Sequence, residues 1–294
     1  MSKSLRAALV VEGGGMRGVF SAGVLNAFGT AGFDPFDLYI GVSAGACNLA
    51  AHLAEQHNRN YHVTTTYSAT PRFINPLRFI RGGHYMDLDW LWDITIKECR
   101  LDLERIFSRL KKFKKEYVVV ATSLLSGAPL YLIPDKSNLE HYIKVSSSLP
   151  VLYRKILTAD SIPALDGGIA DPVPVIEAYK RGAKCIVVVR SRPSSYIKKG
   201  SPLSFLFPVI FRKYPGLARA MKNRHRVYME ALNFIHNPPS GVDIYEISPP
   251  EELHISRATK DPVILEEVYK SGIASGNDFI RKCRGDRLRN IRNS

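Results

Sequence analysis

Cysteine is scarce in this sequence of 294 residues: four occur, at 47, 99, 185 and 283. No two are spaced as C-x-x-C, so neither a disulfide framework nor a zinc site is encoded. The eight histidines are scattered too, and neither a metal nor another cofactor is expected. Long apolar runs are also lacking. Residues 5–11 are too few for a signal-sequence core or a membrane span, and no small-residue cleavage site follows them. Residues 203–211 are interrupted by Pro208 and are equally too short to cross a bilayer. These absences lead us to expect a soluble, cytoplasmic protein. Repeats and long linkers are missing as well, so residues 1–294 read as one domain.

Acidic residues are absent from one long stretch. Residues 181–226 hold twelve Lys or Arg and no Asp or Glu. Residues 281–292 add six bases against Asp286 alone, and the whole chain carries +14. Such asymmetry suits an anionic partner, such as a phospholipid surface or an acidic substrate, or serves solubility alone. Nucleic acid is the partner least expected, and the oligomeric state is open.

What is present is a regular alternation of strand and helix patterns. Short apolar, β-branched runs at 7–11, 38–42, 117–121, 130–133, 163–165, 185–189 and 242–247 read as strands. Helical patterns fill 19–28, 44–56, 101–115, 138–145, 173–181, 216–236 and 261–283. Residues 59–81 mix aromatic and polar side chains and read as loop with short helices, a candidate cap. The expected fold class is α/β, a three-layer α/β/α sandwich with a mostly parallel central sheet.

Three motifs sit at junctions of these elements. The first is Gly13-Gly14-Gly15-Met16-Arg17-Gly18, after a strand and before a helix. Its glycines let consecutive N–H groups point at one spot near a helix N-terminus, which suits an oxyanion or a phosphate. The string also fits G-x-G-x-x-G, with Asp34 or Asp37 as the acid a dinucleotide ribose would need. The second motif is Gly41-Val42-Ser43-Ala44-Gly45, a G-x-S-x-G at a strand-to-helix junction. A serine on such an elbow is held in a strained turn with its Oγ presented for attack. The third is Asp166-Gly167-Gly168, a carboxylate on a tight loop, though Asp-Gly also makes ordinary turns.

In this order the three resemble the patatin-like phospholipases, whose motifs run G-G-G-x-[RK]-G, G-x-S-x-G and D-G-[GA]. The likeness extends to Ser146-Ser147-Ser148-Leu149-Pro150 and to Pro172-Val173-Pro174-Val175, and covers about residues 5–190. Residues 191–294 form a basic extension with a weaker likeness to bacterial members. The resemblance implies a Ser–Asp dyad acting on lipid esters. Ser43 would be the nucleophile and Asp166 the base, with the Gly13, Gly14 and Gly15 N–H groups as oxyanion hole. Arg17 would orient that loop or meet an anionic head group. Two other readings stay open. An α/β-hydrolase esterase would complete a triad with His225, His236 or His254. A nucleotide- or lipid-binding protein without turnover would use only the glycine loop and the basic surface. The segment 181–226, with its apolar run 205–211, is the expected contact with an anionic membrane surface.

Overall fold

A computed structural model of the protein describes residues 6–284. Asp286, Arg287, Arg289 and Arg292 of the basic tail lie outside the described residues. In chain order the elements are β1 (Arg6–Val11), α1 (Val19–Thr30), β2 (Leu38–Val42), α2 (Ala44–Leu53), α3 (Arg59–His62), α4 (Pro76–Ile80), α5 (Leu88–Glu98), α6 (Leu103–Lys112), β3 (Glu116–Ser123), β4 (Pro129–Leu132) and α7 (Leu139–Ser146). There follow β5 (Leu157–Ala159), β6 (Ile162–Asp166), α8 (Val175–Lys180), β7 (Ala183–Val189), α9 (Phe207–Ile210), α10 (Pro215–His236), β8 (Asp243–Ile247) and α11 (Pro262–Arg284).

The eight strands form one sheet in the order β5-β6-β3-β2-β1-β7-β8, with β4 also on β3. The pairings from β3 across to β8 are parallel. Those of β4, β5 and β6 are antiparallel, so the expected alternation breaks down at one edge. The central strands read as continuous apolar runs because helices cover both faces. Along β1 the side chains alternate. Ala7, Leu9 and Val11 pack with α1, α2 and α11, whereas Ala8 and Val10 pack with α8 and α10. The architecture is the expected three-layer α/β/α sandwich.

Two elements left no signal in the sequence. The helix α5 carries β-branched residues and two tryptophans; it starts where Asp87 Oδ1 accepts the Trp90 N–H at 3.1 Å. The strand β5 has only three residues. In α6 the Asp102 cap, accepting the Arg105 N–H at 2.9 Å, delays the start relative to the expected 101. Residues 59–81 are the short helices expected: α3 runs on into a π-helical turn at Val63–Ser68, and α4 follows.

The C-terminal part is built onto the same sheet. The strand β8 extends it beside β7, and α11 lies along α1. Those two helices touch through glycine. A Cβ on Gly272 would come within 2.2 Å of Phe20 O, and one on Gly23 within 2.2 Å of Tyr269 O. Among the described residues no helix is long and apolar enough to cross a membrane.

Candidate active site

Because β1 and β2 are parallel neighbours, their carboxyl ends open on the same edge of the sheet. The glycine loop leaves β1 there, and Ser43 leaves β2 beside it. The position of Asp166 follows from register. On one side of β3, Val119 and Val120 pair with Gly41 and Val42 of β2. Just beyond, on that same side, Ala121 and Thr122 pair with Asp166 and Leu165 of the reversed β6. The opposite side of β3 is taken by β4. Thus β2 and β6 run head-on, and their last residues bring Ser43 and Asp166 together.

Ser43 has φ 52° and ψ −123°, a left-handed turn that only a firmly held backbone keeps. Its N–H donates to Ser146 Oγ at 2.8 Å, and that hydroxyl donates to Val120 O at 2.6 Å. The amino end of α2 begins at the next residue. Gly41 and Gly45 flank the turn where the chains crowd: a Cβ on Gly45 would sit 2.3 Å from Val11 O. Gly13 lies against the elbow, with its notional Cβ 2.8 Å from Val42 O and 3.0 Å from Ser43 Cβ. Gly14 and Gly15 continue the loop, and Gly18 faces Ala44. No acceptor among the described residues takes the N–H of Gly13, Gly14 or Gly15. All three glycines line the cleft that holds Ser43, where unpaired N–H groups can receive an oxyanion.

Asp166 is 3% exposed. Its Oδ1 accepts the Gly168 N–H at 2.8 Å, and its backbone oxygen accepts Thr122 Oγ1 at 2.8 Å. Gly167 packs on Val120 O where no side chain fits. Burial raises the Asp166 pKa; Arg224, the hydrogen bond with Ser43, the Gly168 N–H and Arg257 oppose that rise without cancelling it. A carboxyl so placed holds a proton more readily than a free aspartate, which suits proton exchange with a hydroxyl.

Ser43, Asp166 and the glycine loop line one cleft of about 230 Å³. Its cationic wall is Arg17, Arg192, Lys198, Arg224 and Arg257. Arg17 is 3% exposed and its Nε has no partner. Burial, then Arg257 and Arg192, bring its pKa down to about 10. Arg224 donates from Nε to Gly168 O at 2.5 Å and so braces the Asp166 loop. Burial and then Arg257 lower it to about 10 also. Lys198 falls to about 8 through burial, Arg224 and Arg257. A second, apolar recess of about 110 Å³ shares Ser43 and is walled by Phe73, Ile74, Met86, Leu88, Leu91 and Trp92.

Two sequence alternatives fail on position. Asp37 precedes β2 and so lies at the edge opposite the glycine loop; its Oδ2 accepts the Ala7 N–H at 3.0 Å. Asp34 is engaged by Arg109 at 2.6 Å and Lys115 at 3.0 Å. Neither can meet a ribose at that loop. His225 Nδ1 lies 3.0 Å from Lys222 O, and His236 pairs with Glu246 at 3.3 Å. Neither these nor His254 lines the cleft of Ser43. Among the described residues no three His, Cys, Asp or Glu side chains are grouped to hold a metal.

Sequence reasoning missed the parts that arrive from afar. Ser146 was visible only as part of a serine run, yet it supports the elbow from 103 residues away. Arg192, Lys198, Arg224 and Arg257 belong to no local motif. The one available signal was the lack of acids around the first three.

A family model described as patatin-like phospholipase matches residues 9–179, more than half the chain and all three motifs. The chain belongs to the patatin-like phospholipase family. A second model, described as a domain of unknown function (DUF6363), matches residues 214–284 and so spans α10, β8 and α11. The uncharacterized protein YjjU of Escherichia coli K12 is 38% identical over 285 residues, which are 94% of this chain and 77% of that protein. Lysophospholipase NTE1 of Kluyveromyces lactis is 26% identical over 292 residues; the match covers 93% of this chain but only 19% of that relative. Human GIVD cytosolic phospholipase A2 superposes with a TM-score of 0.49 at 11% identity, over 99% of this chain and 60% of the other.

Proposed function

We propose that the protein is a serine acyl hydrolase that cleaves acyl esters of lipids. The observation that carries this reading is the head-on approach of β2 and β6, which sets Ser43, on its strained turn, against the buried Asp166. In the reaction Ser43 Oγ bonds to the ester carbonyl carbon while its proton passes to Asp166. The carbonyl oxygen becomes an oxyanion held by the free N–H groups of Gly13, Gly14 and Gly15. Collapse breaks the bond to the alcohol, which leaves with the proton from Asp166. Water then attacks the acyl-enzyme and gives a proton to Asp166; collapse breaks the bond to Ser43 Oγ, which takes that proton back, and the fatty acid is released. The acyl chain is given to the apolar recess. The lysophospholipase of Kluyveromyces lactis to which the chain is similar is in keeping with this substrate class.

The test is hydrolysis of p-nitrophenyl esters and phospholipids by wild type, Ser43→Ala and Asp166→Asn. Each substitution should lower kcat by about 10³-fold or more, and by similar factors, because parts of one unit are non-additive. Ser43-dependent labelling by a fluorophosphonate should accompany it. Folded wild type that neither labels nor turns over any ester would favour the binding-protein reading.

The same reading rests the protein peripherally on a lipid surface. Leu203, Phe205, Val209 and Ile210 are exposed, with Phe205 and Val209 each at 69%, instead of entering the core. Arg212, Lys213, Arg219 and Lys222 stand nearby in sequence, all four exposed. Phe211 and Met221 pack on the same small core of Leu124, Leu165, Ile169 and Leu217, and Met221 lines the cleft of Ser43, so this surface adjoins the site. All four cysteines are free thiols, in keeping with a reducing compartment. We also read residues 6–284 as one folding unit, because β8 completes the sheet and α11 covers α1.

A further inference from the structure

The cationic wall of the cleft comes largely from outside the matched patatin-like segment. Arg192 and Lys198 lie between the two matched segments, and Arg224 and Arg257 fall within the second. These residues are tied to the reaction center by backbone as well as by charge. Met16 of the glycine loop donates its N–H to Arg257 O at 3.2 Å, and Arg224 holds Gly168 O. Five cations line the cleft against two carboxylates, Glu12 and Asp166. Glu12 is already engaged, accepting the Ser191 N–H at 2.7 Å. Arg17, at the base of the cluster, is buried, and its Nε is left without a partner. Cations crowded in this way, with a buried donor unanswered, are stabilised by an anion that brings several acceptor oxygens.

We infer that Arg192, Lys198, Arg224 and Arg257, with Arg17 at the floor, form a subsite for the phosphoryl group of the lipid, one whose head group carries no compensating positive charge. This rests on the reading of Ser43 as an acyl hydrolase and names its substrate: an acyl ester of a phosphorylated alcohol, with the phosphate in the cationic cleft and the chain in the apolar recess. A phosphomonoester brings a charge of about −1.5 to −2, which meets the excess of cations. A choline-type head group would bring a cation into the same wall. Two of the three tyrosine rings lining the cleft already face a cation: Arg192 lies 4.5 Å from the Tyr196 ring center, and Lys198 5.4 Å from that of Tyr228. A flat bilayer surface cannot reach Arg17, so the cluster is fitted to one head group and not to a membrane plane.

The experiment compares three esters of one acyl chain, kept monomeric: an acylglycerol phosphate, an acylglycerophosphocholine and a monoacylglycerol. In wild type, kcat/KM should be highest for the acylglycerol phosphate. The ratio of that value to the monoacylglycerol value should fall at least about tenfold in Arg192→Gln/Lys198→Gln, the scale expected for losing charge-assisted hydrogen bonds. If that double variant melts early, the exposed Arg257→Gln replaces it. A flat selectivity, or a preference for the choline ester, with Ser43-dependent turnover intact, overturns the subsite and leaves the hydrolase standing. If no ester is turned over, the hydrolase reading falls, and calorimetric titration still decides the subsite. Glycerol phosphate should bind wild type and bind the double variant at least about tenfold more weakly. Inorganic phosphate binding as tightly as glycerol phosphate, or neither binding, overturns the head-group assignment.

Discussion

Asp166 must lose its proton to act as a base, yet its surroundings favour keeping it. Its folded pKa stands above the ordinary 3.8, with burial as the largest cause. Activity should therefore climb with pH through a value above 3.8, visible as the acid limb of kcat/KM. The linkage has the matching sign. Protonated Asp166 is the form the fold prefers, so its stabilising contribution is full below the ordinary value and is lost as pH rises through the folded pKa. Asp166→Asn removes that loss. Measured by thermal melts, the inactive variant should gain on wild type as the pH is raised from acid to neutral. A variant that falls behind wild type at neutral pH would show instead that Arg224 and the hydrogen bonds outweigh burial. Ser43 and Asp166 were both legible in the sequence, because an elbow and a tight aspartate loop need particular small residues beside them. A rise by burial is what an aspartate in such a dyad leads one to expect; that Arg224 and Arg257 would oppose it was not legible, since they reach it from the far part of the chain.

At the scale of elements, the contact between α1 and α11 is the sharpest constraint. Both helices are apolar on the shared side, with Phe20, Val24, Phe28, Leu265, Val268 and Phe279 buried. Each such side chain contributes about 1.5–3 kcal/mol by leaving water. The glycines let the backbones close until these side chains interlock. An alanine at Gly272 meets the carbonyl oxygen of Phe20, which cannot swing away. Gly272→Ala should cost about 1–3 kcal/mol or more in urea unfolding, as overpacking does. The loss should appear as an earlier midpoint of one transition. A separate early transition for the C-terminal part would count against one folding unit. The sequence showed an apolar helix at 19–28 and a helical segment at 261–283 but not that they were partners, because a helical pattern along the chain does not name its neighbour.

The whole molecule distributes its charge less simply than the acid-free stretch suggests. Arg181 pairs with Glu116 and with Glu177 at 2.8 Å, and the buried Arg190 with Glu246 at 2.7 Å. Acids outside the run thus neutralise its start. Arg192, Lys198 and Arg224 turn into the cleft. Arg212, Lys213, Arg219, Lys222 and Arg226 remain exposed, and with the apolar 203–210 patch they are the set we propose to face the membrane. Each cation near an anionic surface is worth about 1 kcal/mol. Co-sedimentation with vesicles should require anionic lipid, weaken at high salt, and fail when Arg212, Lys213, Arg219 and Lys222 are changed to Gln or Phe205, Val209 and Ile210 to Ser. Binding that ignores lipid charge, or survives both sets of changes, overturns the surface assignment.

The sequence by itself determined the three-layer class, the glycine loop, the elbow and the aspartate turn. Each is encoded within a few consecutive residues, since a strand buried on both faces, a left-handed serine or a loop of free N–H groups restricts its own neighbours. Only the tertiary structure decided that β6 runs back along β3 to meet β2 head-on, that Ser146 holds the elbow, and that four cations from the second half of the chain converge on the cleft. Those relations depend on register and packing between residues far apart in the chain. No spacing along the sequence prescribes them, because the energy that fixes them belongs to the folded sheet as a whole.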